Sequence, residues 1–173
     1  IAYTGYDWTT DTYREEVVYV MGVDGSNRKI VAEEVGRRPA NMMWAEDGSG
    51  IYFTAQMRGT SNLYFAAVSG EGVRNVTNGN HMLNVTNISN GTAVGTLTSY
   101  QIPRNLVTFS VSTSEDVKTL HVTNRGHLAE VTLGKVDEIW YQSKDGLDIQ
   151  GWIVQPPEFD PTQKYPLILR IHG

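Results

Sequence analysis

Residues Val76 to His81 read VTNGNH, and residues Val122 to His127 read VTNRGH. The two copies lie about 46 residues apart, a period at which a sequence recurs when each copy encodes one unit of a repeat fold such as a propeller blade. Other pairs keep step at about 43 residues. Asn62-Leu63 matches Asn105-Leu106, the turn Asp47-Gly48 matches Asn90-Gly91, and Val68-Ser69 matches Val111-Ser112, so short insertions separate the copies. One copy further back, Tyr19 and Asp24-Gly25 align with Tyr64 and Ser69-Gly70, while Ile1-Ala2-Tyr3-Thr4 resembles Ile51-Tyr52-Phe53-Thr54.

Inside each copy the pattern is strand and turn. Ile51-Tyr52-Phe53, Leu63-Tyr64-Phe65 and Val107-Phe109-Val111 are aromatic and β-branched, and Gly, Asn or Asp punctuates them every ten residues or so. No segment sustains a 3.6-residue period. The expected fold is therefore mainly β, with residues 1–127 forming the C-terminal part of a β-propeller of about three blades: a partial one up to about Pro39, then Ala40 to Asn80 and His81 to His127. Trp44, matched by Asn87 in the next copy, is expected to anchor the core of its blade. Gln101-Ile102-Pro103-Arg104 reads as a loop before the third strand of its copy.

Composition narrows the partners. A chain that is 40% hydrophobic and 19% charged is a folded globular one rather than a disordered one. Its net charge of -5, with 14 basic residues that form no run, argues against nucleic acid, because phosphate neutralisation needs clustered Lys and Arg. No apolar stretch approaches the ~20 residues of a spanning helix, so no membrane partner is expected. The absence of cysteine excludes disulfides and thiolate metal sites; no metal and no cofactor are expected. Sequons begin at Asn75, Asn84, Asn87 and Asn90, and are read as Asn- and Thr-rich turns. The start, IAYTGYDW, has neither an initiator Met nor a signal pattern, so the chain is expected to begin inside a longer protein; a cytoplasmic location is favoured, with export left open.

From Leu128 the repeat fails. Val136 to Ser143 reads as a strand, Lys144-Asp145-Gly146 as a turn and Asp148 to Val154 as a second strand, followed by Gln155-Pro156-Pro157 and a polar loop. Leu167, Ile168, Leu169 and Ile171 then read as a strand buried on both faces, as in a parallel sheet. Such a strand needs crossover connections that this chain does not supply.

The stretch EIWYQSKDGLDIQGWIVQPPEFDPTQKYPLILRIHG, from Glu138 to Gly173, resembles the start of the catalytic domain in the prolyl oligopeptidase family, above all its acylaminoacyl-peptidase and dipeptidyl-peptidase-like branch. The preceding WAEDGSGIYFTAQMRGTSNLYF resembles that branch's propeller blades. The resemblance implies that residues 128–173 are the truncated N-terminal start of an α/β-hydrolase domain. It also implies a serine-type peptidase hydrolysing short peptides through an acyl-enzyme, with the propeller gating access. His172 and Gly173 match the first two positions of the family's His-Gly-Gly-Pro-like motif and would begin the oxyanion loop. No G-x-S-x-G is present, and Asp47-Gly48-Ser49-Gly50 is a blade turn by its place in the repeat, so the Ser, Asp and His of a triad are all missing and the chain alone should be inactive.

Two further readings concern charged side chains. Dipeptidyl peptidases of the family hold a substrate amine with two propeller glutamates, and Glu15-Glu16 in GYDWTTDTYREE offers such a pair, but six residues separate it from Asp7-Trp8 and the favoured reading is solvated loop carboxylates. His81 and His127 share a repeat position and are read as a blade feature, a turn or a strand-end hydrogen bond. The partners expected are a peptide substrate and the remainder of the propeller and hydrolase domain, and a homo-oligomer is compatible with both. The alternatives are a non-enzymatic β-propeller binding module, or an esterase on the same fold.

Overall fold

The computed structural model describes residues 1–11, 14–33, 35, 37–113 and 117–171. Strands β1 (Ala2–Gly5), β2 (Val17–Val20) and β3 (Lys29–Ala32) form an antiparallel three-stranded sheet. Strands β4 (Arg37–Trp44), β5 (Gly50–Met57), β6 (Thr60–Ala67) and β7 (Val73–Asn75) follow as a meander in chain order. A second meander comprises β8 (Met82–Ser89), β9 (Thr92–Thr98), β10 (Asn105–Ser110) and β11 (Lys118–His121). The two meanders touch edge to edge at one parallel pair, Ser61 opposite Met82, where the Ser61 amide donates to His81 O at 2.8 Å. A four-residue helix, α1 (Arg125–Leu128), precedes a hairpin of β12 (Val136–Gln142) and β13 (Asp148–Val154). Two compact units result, Ile1–Arg125 and Gly126–Gly173. The protein is mainly β, as its alternation and turn spacing predict.

Turn chemistry sets these strand ends. Arg58-Gly59 (φ 48° and 73°) and Asn90-Gly91 (φ 47° and 71°) are both left-handed at two successive residues, which suits the two-residue hairpins whose twist matches that of the flanking strands. The matching turn at Asp47-Gly48 is longer: the Asp47 carboxylate accepts from the Ser49 amide at 2.9 Å, and Ala45 N donates to Gly50 O at 2.9 Å. The copies keep the same 43-residue spacing on both sides of this turn; the offset grows to 46 only between Val68-Ser69 and Val76.

Burial differs between the two meanders in a way that fixes their order. Along β5 the first six residues are all buried. Ile51, Phe53 and Ala55 face one core with Tyr64 and Ala66, against Val18, Val20, Val31 and Ala32 of the three-stranded sheet. Tyr52 and Leu63 face the other way, against Leu83, Val85, Ala93, Val107, Phe109 and Val111 of the second meander. Successive side chains of a strand point to opposite faces, so the first meander is covered on both sides. In β8 and β10 burial alternates with exposure, the signature of a sheet with one covered face.

A polar clasp explains the repeated motifs. Asn62 is buried in β6; its Oδ1 accepts from Thr77 Oγ1 at 3.0 Å and from Gly79 N at 2.8 Å, and its Nδ2 donates to Gly79 O at 3.0 Å. Thr77 Oγ1 in turn accepts from Leu63 N at 2.9 Å. In the next copy Asn105, also buried, accepts from Thr123 N at 3.3 Å. The Asn-Leu and Val-Thr-Asn halves of each repeat are therefore partners in space. The copies part at the histidine. The His81 ring lies on Gly79, where any Cβ would collide with it, whereas the position matching Gly79 holds Arg125, and His127 is exposed in α1.

Several expectations are corrected. Trp44 is no core anchor: it is 46% exposed at the end of β4, while its neighbours Met42 and Met43 turn to the two cores. Strand β4 begins at Arg37, shortly before the boundary of about Ala40 read for this copy, and includes Pro39, which is tolerated in a strand at the end of the sheet order. Of the sequon asparagines only Asn90 lies in a turn; Asn75 ends β7, and Asn84 and Asn87 lie in β8. Leu167 to Ile171 is not a buried strand. Leu167 is 89% and Ile168 91% exposed, because among the described residues β12 and β13 pair only with each other and no ladder receives the run.

Two measurements on a protein containing this segment test the clasp. Asn62→Ala should cost about 2–3 kcal/mol in urea denaturation, since the Gly79 amide and the Thr77 hydroxyl both lose their buried acceptor, whereas Asn105→Ala, which removes one long bond, should cost less; equal losses would contradict the clasp. Burial lowers the pKa of His81 from 6.5. The unfolded chain thus takes up a proton near pH ~6.5 and the folded one only below that, so stability is at its full value above this pH and falls as pH drops toward the folded-state pKa. His81→Gln should remove that part of the acid sensitivity, read as the slope of the urea midpoint between pH 7 and 5.

Candidate functional site

Two parts of the unit Ile1–Arg125 gather polar side chains: the loop between β1 and β2, and a cleft between the two meanders. The loop leaves β1 at Gly5 and rejoins β2 at Val17, residues that pair with each other, so its two arms start side by side. Arg28, just before β3, reaches back to it. Its Nε donates to Tyr3 Oη at 2.8 Å, its Nη2 donates to Asp7 Oδ1 at 2.6 Å, and its guanidinium lies 4.3 Å from the centroid of the Tyr19 ring. Tyr3 and Tyr19 stack at 5.1 Å. The bond to Asp7, with that to Tyr3 second, pushes the Arg28 pKa further up and keeps the group charged. Arg14 pairs with Asp11 at 2.6 Å.

Glu15 and Glu16 stand exposed on the arm that enters β2. Carboxylates at this place can meet an ammonium group. His172 and Gly173 lie outside the described residues. Among the described residues no group of three or more His, Asp and Glu is placed to hold a metal ion, and no helix is long and apolar enough to cross a membrane.

The cleft is about 220 Å³ and opens where β4, β5 and β6 approach β8 and β9. Asn41 organises its wall. This residue sits in β4 with φ 51°, between two register shifts against β5, and left-handed backbone at a non-glycine residue persists only where its surroundings hold it. Its Nδ2 donates to Thr54 Oγ1 at 3.2 Å and to Asn84 Oδ1 at 2.7 Å. Ser61 Oγ donates to Leu83 O at 2.9 Å, and Gln56, Thr96, Thr98 and Arg104 complete the polar lining. Among the described lining residues Arg104 is the cation and none is a carboxylate.

Sequence reading singled out the loop and missed the cleft. A signal was present: Asn41 and Asn84 are 43 residues apart, the repeat spacing, so equivalent positions of neighbouring units touch. Glu46 and Ser89, also 43 apart, do the same at 3.3 Å. What the linear sequence withholds is the approach of the two meanders, which makes repeat positions into neighbours.

No protein-family model matches the chain. Among curated relatives, a dipeptidyl-peptidase 5 of Porphyromonas gingivalis is 27% identical over 132 residues, covering 76% of this chain and 19% of the relative. A probable dipeptidyl-peptidase 5 of Aspergillus niger is 26% identical over 182 residues, covering 100% of this chain and 24% of the relative. Among solved structures, an acylaminoacyl peptidase in complex with Z-Gly-Gly-Phe-chloromethyl ketone superposes with a TM-score of 0.74 at 17% identity, covering 95% of this chain and 24% of that one. Pyrococcus horikoshii acylaminoacyl peptidase gives 0.69 at 18% identity, covering 90% and 23%. The chain thus spans about a fifth to a quarter of the length of the relatives it matches, and the resemblance to the prolyl oligopeptidase family's peptidases is borne out.

Arg28 gives the loop a test. Arg28→Ala removes the hydrogen bonds to Asp7 and Tyr3, so chymotryptic cleavage after Trp8, which is 87% exposed, should become severalfold faster while the global unfolding midpoint changes little. An unchanged cleavage rate would mean that other contacts hold the loop.

Proposed function

We propose that this chain is the part of a serine peptidase of the prolyl oligopeptidase family in which a β-propeller passes into an α/β-hydrolase domain, and that the parent enzyme hydrolyses short peptides in the manner of a dipeptidyl or acylaminoacyl peptidase. The observation that carries this reading is the alignment with the Aspergillus niger relative, which runs through the repeats and the β12–β13 hairpin alike. In this reading the three-stranded sheet and the two meanders are successive blades, each covering a face of the next, as radial packing requires. The ring they belong to limits entry to peptides narrow enough to pass.

The chemistry proposed is acyl transfer. A serine attacks the peptide carbonyl, a histidine takes its proton and returns it to the leaving amine, an aspartate orients that histidine, and backbone amides hold the oxyanion. None of the three triad residues is assigned in this chain, which is therefore inactive alone. Its contribution is positional: His172 and Gly173 begin the loop whose amides face the oxyanion, with His172 orienting the loop rather than acting as base. Glu15 and Glu16 would receive the substrate's free amine.

Fluorophosphonate labelling of the full-length protein tests the assignment, with one modified serine expected; a protein that takes no label and cleaves no peptide would leave the binding-module alternative standing. In an enzyme that does cleave, Gly173→Val should lower kcat by about 10²-fold, the scale of losing one oxyanion donor, with the unfolding midpoint retained. Undiminished turnover would remove Gly173 from the oxyanion loop.

A further inference from the structure

The cleft between the meanders has a composition that selects its occupant. Its lining includes Arg104, Asn41, Asn84, Gln56, Thr96 and Thr98, and none of the described lining residues is acidic. Arg104 lies at the end of the Gln101–Arg104 loop. Its backbone carbonyl is fixed by Thr123 Oγ1 at 2.9 Å, while its guanidinium makes no ion pair among the described residues. The Asn41 amide is spent on Thr54 and Asn84, which leaves the Asn84 NH₂ as a donor at the mouth.

We infer that this cleft is a binding site for a peptide carboxylate, with Arg104 as its charged anchor and the Asn84 amide and the Thr96 and Thr98 hydroxyls as neutral partners. The inference rests on the reading of the parent protein as a peptidase for its peptide, but not for its anion. A planar guanidinium takes a carboxylate through two parallel N–H donors. The volume of about 220 Å³ falls below the ~300–1,000 Å³ of sites that enclose a whole small ligand, so it admits one end or one side chain of a peptide. The strained backbone of Asn41 is then explained: it turns the amide that fixes Asn84 at the mouth.

The test uses the full-length protein after fluorophosphonate treatment, so that binding is read without turnover. Calorimetry compares acetyl-trialanine with its carboxamide twin, and with an acetylated carboxamide peptide carrying one glutamate. The free acid should bind about tenfold tighter than the carboxamide, and Arg104→Gln should abolish the difference. Preference for the glutamyl peptide instead would keep the carboxylate site and assign it to a side chain. Equal affinity for acid and carboxamide, or a preference that survives in the Arg104→Gln protein, overturns the proposal. Should Arg104→Gln lower the unfolding midpoint, Arg104→Lys, which keeps the charge and loses the paired donors, must still reduce the preference. Failure of fluorophosphonate labelling would count against the peptidase reading alone, because the acid-to-carboxamide comparison reads the cleft directly.

Discussion

The burial of both faces of β5 is the constraint on which the rest of the structure depends. Ile51, Phe53 and Ala55 on one side and Tyr52 on the other each need an apolar cover, and one meander cannot supply either. The three-stranded sheet covers the first face and the second meander covers the second. Tyr52 and Phe65 meet with ring centroids 4.9 Å apart, and Phe53 and Tyr64 at 5.8 Å, so the aromatic surface of this meander is divided between its two cores. A change that uncovered either face would expose large apolar side chains and unpaired edges together.

Polar groups give this packing its register. Apolar faces can slide, since dispersion and hydrophobic burial are not directional. The buried Asn62 cannot, because three bonds to Thr77 and Gly79 are available to it at only one position. Asn41 with Asn84, and Glu46 with Ser89 and Asn90, play the same part between the two meanders. The cleft around Arg104 lies beside the first of these links, so the groups that fix the approach of the meanders also shape its wall.

The hairpin β12–β13 is organised by other means. Its register runs unbroken from Val136 opposite Val154 to Gln142 opposite Asp148. Glu138 accepts from both Trp140 Nε1 at 2.6 Å and Gln150 Nε2 at 2.8 Å across one face. The turn is closed by Ser143, which donates to Asp145 at 2.5 Å, a bond that lowers the aspartate's pKa. These contacts are local in sequence, and this is why the hairpin was legible there.

What the sequence determined by itself was every element whose cause is local: the strands at Ile51, Leu63, Val107, Val136 and Asp148, the turns at Asn90-Gly91 and Asp145-Gly146, and the repeat that made the fold mainly β. It also carried the family resemblance of Glu138 to Gly173, because a linear order of motifs survives in a linear text. Tertiary structure alone decided which faces are covered. It left Trp44 half-exposed, put Asn84 and Asn87 in a strand, left Leu167 to Ile171 outside any ladder, and brought Asn41, Asn84 and Arg104 round one cleft. Those outcomes depend on contacts between residues tens of positions apart, and an apolar or amide side chain reads the same in sequence whether or not a partner comes to meet it.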